Sequence, residues 1–367
     1  MSEADTSSSS GSAPRGRRAP RDRFTPAEIQ AVCEHYDLGP VYEVRELPKG
    51  SHRSPKAVLL ADAGEFLLKR RAPGRDSPQR LAFVHDLQLH LQKQHFPMPA
   101  LVRTERHKQT VVRHQDRLYE LFEFVHGSTY KGSLEETVEA GRMLGRFHLA
   151  AASFSPTRPP PKGSFHAVSG LGASLHQIPA TLERVTPGSA SDRPIDMASL
   201  VRTLRQVYHE ALRIVEEAGL PKLARQAIHS DWHPGNMLFD NNRVTSVLDF
   251  DSARWEPRLI DVANGALQFS ITMGGGDVGE WPDYLDETRL KRFCRGYLSI
   301  DGCALEMPEL QALPSLMVEA LIVEAVVPIA TTGSFAHMEG GDFLIMVARK
   351  ASWIRRHAGR LIELIAG

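Results

Sequence analysis

The stretch His229-Ser-Asp-Trp-His-Pro-Gly-Asn236, followed by Leu248-Asp-Phe-Asp251, constrains the fold of this chain more than any other segment. Between the two lie a short apolar run, Met237-Leu-Phe239, a turn signal, Asn241-Asn242, and a second β-type run, Val244-Thr-Ser-Val-Leu248. Asparagine tolerates positive φ, so the Asn pair suits the tight turn of a hairpin. Residues facing each other across an antiparallel ladder have numbers of constant sum. A turn centred near Asn242 and Arg243 therefore sets Asn236 opposite Asp249, thirteen positions later. Such a hairpin carries an amide oxygen and a carboxylate to one end of a rigid ribbon.

Hard oxygen ligands placed this way suit Mg²⁺ held on nucleotide phosphates. Asp231, five residues before Asn236, is free to accept a proton from a hydroxyl substrate. The pattern H-x-D-x-x-x-x-N with a later acidic cluster is the layout of a phosphoryl-transfer catalytic loop and its metal-binding aspartate. His229, Asp231 and His233 would also suit part of a zinc hydrolase site, but the sequence offers no convincing set of further His or Cys ligands. A lone H-x-D would read as a polar loop with locally satisfied histidines. The addition of Asn236, the hairpin and Asp249 favours phosphoryl transfer.

At 367 residues the chain has room for two or three lobes and a sizeable core. Lys plus Arg and Asp plus Glu number 44 each, which argues against electrostatic binding of nucleic acid by the whole molecule. Three cysteines, Cys33, Cys294 and Cys303, are too few and too scattered for a disulfide framework or a structural zinc site. No uninterrupted apolar run of membrane-spanning length is evident, so no membrane span is expected. The N-terminus lacks the apolar core of a secretion signal, and a reducing, ATP-containing cytoplasm is the expected location.

Residues 1–23 are rich in Ser, Gly, Pro and Arg and are expected to form a disordered tail. Thr25-Pro26-Ala-Glu28 reads as a cap, a first-turn proline and a capping-box acid for a short helix ending near Leu38. Strands are expected over Val41–Leu47, Ala57–Leu60, Glu65–Lys69, Gln109–Arg113 and Arg117–Phe124, with a helix over 78–95 after the third. From Leu134 onward the pattern is helical apart from the hairpin: Leu134–Ala152, 196–218, 259–272, 286–299, 314–332 and 341–365. Residues 155–194 read as an irregular excursion with at most one short helix. The fold class expected is α+β and bilobal: a small lobe (24–125) on a five-stranded antiparallel sheet, and a larger, mainly helical lobe (126–367).

With "HSDWHPGN" and "LDFDSARWEPRLIDVA" in view, the chain resembles the aminoglycoside phosphotransferase and choline kinase superfamily, small-molecule kinases with a protein-kinase-like fold. Spore-coat kinase-like and homoserine kinase-like proteins are relatives of this type. The resemblance covers roughly residues 40–355 and is strongest from Gly141 to Asn264. It implies ATP and Mg²⁺ as cofactors and a small-molecule hydroxyl as acceptor, with no nucleic-acid or membrane partner. Asp231 matches the catalytic aspartate, and Asn236 and Asp249 match the metal ligands. Asp261 matches an acid that anchors the loop backbone, and Asp251 an acid that supports the metal or substrate. Lys69 is the best match to the phosphate-contacting lysine of the third strand, with Arg70 and Arg71 as rivals. The usual glutamate on the following helix is missing, since no Glu occurs between Glu65 and Glu105; Asp86, or His85, would take its place. Lys49-Gly50-Ser51 has one glycine where protein kinases use three, yet Gly50 and Ser51 would still cradle phosphates. Glu123 to Val125 would be the hinge whose backbone meets adenine.

Two other functions compete on the same residues. A Ser/Thr protein kinase is disfavoured by the brief segment after Asp251, with Ile260 only nine positions on. A nucleotide-binding regulatory module without catalysis is suggested by the missing Glu and the thin Gly loop, and opposed by the complete set of Asp231, Asn236 and Asp249. Glu256, Asp277, Glu280, Asp283, Glu319 and Glu324 could receive a cationic acceptor, although each singly reads as a solvated helix face or loop end. Trp232, Trp255 and Trp281 would suit a quaternary amine as an aromatic wall, core packing being the plainer reading.

Overall fold

The computed structural model describes residues 21–48, 53–74, 77–185, 196–336 and 338–367. Two compact units form, one comprising Met1–Asp76 with Val102–Phe122, the other Ser77–Leu101 with Glu123–Gly367.

The smaller unit holds α1 (Pro26–Cys33), β1 (Val41–Glu46), β2 (Lys56–Ala61), β3 (Gly64–Arg70), β4 (Val112–His114) and β5 (Arg117–Glu123). The strands make one five-stranded sheet of order β1-β2-β3-β5-β4. The expected α+β class and antiparallel sheet are found. Thr25 Oγ1 accepts the Glu28 N–H at 3.2 Å and Glu28 Oε2 accepts the Thr25 N–H at 3.1 Å, closing the capping box. The other Glu28 oxygen takes Arg70 at 2.6 Å and the hydroxyl of Tyr119. One buried acid thus ties α1 to β3 and β5, above a core that includes Val32, Leu59, Leu68 and Leu121.

The larger unit holds α2 (Pro78–Lys93), α3 (Leu134–Ala152), α4 (Leu171–Val185) and α5 (Met197–Glu217). Then come β6 (Arg225–Ile228), β7 (Met237–Asp240), β8 (Arg243–Val247), β9 (Arg254–Pro257) and α6 (Leu259–Ser270). It closes with α7 (Glu287–Leu298), α8 (Met307–Thr332), β10 (Ser334–Phe335), β11 (Met338–Glu339), α9 (Gly340–Arg356) and α10 (Ala358–Ala366). β6 pairs with β9, and β7 with β8, in two separate antiparallel ribbons. Helix α2, expected in the N-terminal lobe, belongs here because Phe83, Val84, Leu87 and Leu91 are part of this unit's core.

Several elements differ from expectation for local reasons. The excursion before α5 contains α4, fifteen residues long and far from short, which buries Leu171, Leu175 and Ile178 despite Pro179 inside it. Helix α8 starts at Met307, not 314, because Pro308 occupies the first turn and Pro314 is accommodated in the interior. The expected single helix 341–365 breaks at His357 into α9 and α10. β6 and β9 have four residues each, too few for alternation to declare itself.

Helix α8 is long and apolar enough by length and composition to cross a membrane. Its mean hydropathy of 1.9 over an 18-residue window passes by length and composition, the three acids Glu309, Glu319 and Glu324 having broken the run to the eye. In the structure the helix is mostly buried, with α4, α5, α6, α9 and α10 packed around it.

Helices α3 and α7 cross at backbone contact. A Cβ added at Gly141 would lie 2.0 Å from the Phe293 carbonyl oxygen, and one at Gly296 would lie 2.0 Å from that of Val138. The obstacles are backbone atoms of a facing helix, which cannot swing away. Gly296→Ala is expected to lower stability by about 1–3 kcal/mol through overpacking. A fall in the urea midpoint at constant slope would report it, and an unchanged midpoint would contradict it.

Candidate active site

One buried carboxylate shapes the loop between β6 and β7. Asp261, in the first turn of α6, accepts the His229 N–H through Oδ2 and the Ser230 N–H through Oδ1, both at 2.7 Å. Ser230 stands at φ 64°, a region non-glycine residues seldom occupy, and these bonds hold it there. His148 Nε2 lies 3.4 Å from Asp261 Oδ2, while its Nδ1 lies 3.0 Å from the Tyr297 hydroxyl. That hydroxyl accepts from Arg258 at 2.9 Å. Burial pushes the His148 pKa down, against the upward pull of Asp261. The two N–H bonds are the backbone anchoring that the resemblance implied for Asp261. His229 is fully buried and donates from Nε2 to the Leu248 carbonyl at 3.0 Å, linking the loop to the far end of the hairpin. It is a scaffold residue.

Asn236 meets Asp231 twice. Its Nδ2 donates to the Asp231 backbone carbonyl and to Oδ2, each at 3.0 Å. Both amide hydrogens are thereby used, and Oδ1 takes no hydrogen bond among the described residues. His233 Nδ1 accepts the Gly235 N–H at 3.0 Å, which places the ring proton on Nε2, 3.6 Å from Asp231 Oδ1. Burial raises the Asp231 pKa, but the bond and charge of His233 outweigh it and the net direction is down. Burial lowers that of His233, but Asp231 outweighs it and the net direction is up. Asp231 therefore stands as a carboxylate at neutral pH.

The hairpin brings Asp249 next to this pair by a register different from the expected one. The turn is Asn241-Asn242, at φ 47° and 62°, with Asp240 opposite Arg243. Phe239 faces Val244, but Leu238 faces Ser246, so a bulge at Thr245 shifts the ladder by one. Asn236 then accepts the Leu248 N–H at 2.8 Å, and Asp249 is the next residue rather than the facing one. Asp249 lies at φ 58° and ψ 68°, a left-handed conformation that aspartate enters more readily than most. Arg80, from the first turn of α2, holds the segment beyond by donating to the Asp251 carbonyl at 2.8 and 3.2 Å.

Among the nucleotide-side candidates, Gly50 and Ser51 lie outside the described residues. Lys69 is buried on β3. Its two rivals are committed elsewhere: Arg70 to Glu28 at 2.6 Å, and Arg71 to the buried Glu120 at 2.7 Å. Asp86 is on α2 in the larger unit, where its carboxylate accepts the Thr157 hydroxyl at 2.8 Å. Glu123 ends β5 and donates its N–H to the Ala100 carbonyl at 2.9 Å. Val125 follows in the connection to α3.

Most acids offered as receivers of a cation have structural duties. Glu256 pairs with Arg225 at 2.7 Å, Asp283 with Arg349 at 2.7 Å, and Glu319 with His166 at 2.9 Å. Asp277 caps the short turn after it, and Glu280 is exposed. Glu324 accepts the Gln268 amide at 2.6 Å. The tryptophans form no common wall: Trp232 is buried against Phe147, Trp255 lies beside Phe154, and Trp281 donates to the Gly275 carbonyl.

Residues 43–306 match the APH phosphotransferase enzyme family. The chain belongs to that family. Homoserine kinase of Parvibaculum lavamentivorans is 25% identical to this phosphotransferase over 290 residues, 79% of this chain and 80% of that protein. Among solved structures, an aminoglycoside phosphotransferase from Alicyclobacillus acidocaldarius superposes with a TM-score of 0.64 at 18% identity, covering 95% of this chain and 98% of the other. A microcompartment-associated aminopropanol kinase gives 0.63 at 19% identity, covering 91% and 97%. These neighbours confirm the kinase-like fold.

Arg80, Gln268 and His148 are not among the residues singled out from the sequence. No local signal marks them, because each acts on a residue far away in the chain. Replacing Asp261 by alanine should strand two loop N–H groups and cost about 2 kcal/mol or more in urea unfolding. His148 gives a second test. Its folded pKa lies below the ordinary 6.5, so the unfolded chain takes up a proton that the folded one refuses. Its contribution is therefore undiminished above that value and is lost as pH falls below it. His148→Gln is expected to flatten the loss of stability between about pH 7.5 and about pH 5, and an unaltered slope would contradict this.

Proposed function

We propose that this phosphotransferase is an ATP- and Mg²⁺-dependent kinase acting on a hydroxyl of a small molecule, an amino alcohol, sugar or aminoglycoside-like compound. The observation that carries the reading is the double hydrogen bond from Asn236 Nδ2 to Asp231. It turns the donor end of the amide to the base and leaves the oxygen end for a cation. Among the described residues no three His, Cys, Asp or Glu side chains group as a metal cage. Two protein oxygens, Asn236 Oδ1 and Asp249, fit a hard cation that takes its other ligands from phosphates and water.

ATP would supply the phosphoryl group, and Mg²⁺ held by Asn236 and Asp249 would offset its charge. Asp231, kept ionised, would accept the hydrogen bond of the acceptor hydroxyl, orient its oxygen and take its proton. Asn236 would keep the Asp231 carboxylate from rotating. Lys69 would meet phosphate, and the backbone of Glu123 to Val125 would meet adenine. The segment after Asp251 supports a small acceptor over a protein, since β9 and α6 take it up at once. A cytoplasmic location goes with this reading, ATP being supplied there.

Incubation with ATP, Mg²⁺ and a panel of amino alcohols, sugars and aminoglycosides should give transfer to at least one acceptor. With that acceptor, Asp231→Asn should lower kcat by about 10²–10⁴-fold, and unchanged transfer would refute the role given to Asp231. EDTA should stop the reaction and added Mg²⁺ restore it; turnover indifferent to chelation would refute the roles given to Asn236 and Asp249.

A further inference from the structure

Among the acids considered for a cationic acceptor, Glu324 is the one withdrawn from solvent without an ion-pair partner among the described residues. It sits in the apolar middle of α8, half-buried, where a carboxylate is costly unless something compensates it. Glu256 and Asp283 in the same unit each have an arginine partner, and Glu319 has a histidine. No Lys, Arg or His forms an ion pair with Glu324 among the described residues. Instead the Gln268 amide, from the adjoining helix α6, donates to Oε2 at 2.6 Å and fixes the orientation of the carboxyl group.

The surroundings of Glu324 belong to the catalytic loop. Burial, and after it the charge of Asp231, push its pKa up to about 7, while His233 and the Gln268 bond pull it back. Asp231 and Glu324 are therefore near enough to repel. His233 turns its Nε2 proton toward Asp231, and it makes no ion pair with Glu324. Two carboxyl groups, one held by an amide from Asn236 and the other by an amide from Gln268, thus share one histidine, and that histidine is turned to Asp231. Desolvated acids so arranged suit a ligand that brings the charge.

We infer that Glu324, oriented by Gln268, receives the ammonium group of the acceptor, so that the preferred acceptors are amino alcohols whose hydroxyl meets Asp231. The inference rests on the kinase reading above. It makes Glu324 a residue of specificity, acting on the acceptor and not on the nucleotide.

The test compares L-homoserine and 1-amino-2-propanol with their deamino counterparts, 4-hydroxybutanoate and 2-propanol, for wild type and Glu324→Gln. Removing one member of a buried charge pair should lower the amine-to-deamino ratio of kcat/KM about 30-fold, with KM for ATP unmoved. An unchanged ratio overturns the inference, as does wild-type transfer confined to amine-free alcohols, while both outcomes leave the kinase reading standing. No transfer to any acceptor, these or the wider panel, overturns the kinase reading itself and this inference with it. Should Glu324→Gln fail to fold, Glu324→Asp, which draws the charge back by one methylene, must still lower the ratio; if the ratio holds, Glu324 does not touch the amine.

Discussion

The site depends on Asp261 more than on any residue that would touch a substrate. Its two oxygens take consecutive backbone N–H groups, at His229 and Ser230, and a backbone donating two such bonds side by side to one carboxylate is forced out of extended geometry. The left-handed Ser230 is the result, and it turns the chain so that Asp231 leaves the buried layer for solvent while Trp232 returns to it. A carboxylate buried this deeply needs compensation, and His148, Tyr297 and Arg258 pass hydrogen bonds outward from it to the α7 side of the unit.

Asn236 and Glu324 show how little side chain serves two purposes. An amide has a donor end and an acceptor end, and using the first on Asp231 commits the second to face elsewhere. Gln268 does for Glu324 what Asn236 does for Asp231. In both cases a neutral donor steadies a carboxylate without neutralising it, so the charge remains available to a ligand.

Much of this was legible in the sequence because it is local. The loop, the hairpin and the capping box at Thr25 and Glu28 are set by residues within a few positions of each other. The five strands of the small sheet were read from apolar runs, and the family follows from the loop motif. Other features depend on chain-distant partners. Nothing near Arg80 announces that it will hold the carbonyl of Asp251, and Asp86 met Thr157 where a lysine was expected. Proline misled in α8, where the cost of Pro314 is carried by burial of the whole helix rather than avoided by starting later. The hairpin register differs by one step from the expected one because the turn falls one residue earlier, at Asn241-Asn242, and the bulge, which leaves no trace in composition, makes up only half of that shift.

That bulge has a consequence for how the site can vary. Val244 and Val247 are both buried although three positions apart, a spacing that points to opposite faces of an unbroken strand. The extra residue at Thr245 reverses the parity midway and lets both valines face the core. It also makes the count between Asn236 and Asp249 a matter of odd and even. Gain or loss of one residue on either side would keep the turn yet shift the ladder, so that Leu248 no longer meets Asn236, whereas a matched pair would lengthen the ribbon and preserve that pairing. The distance along the chain between the two proposed cation ligands is thus set by the turn and the bulge together, as much as by chemistry.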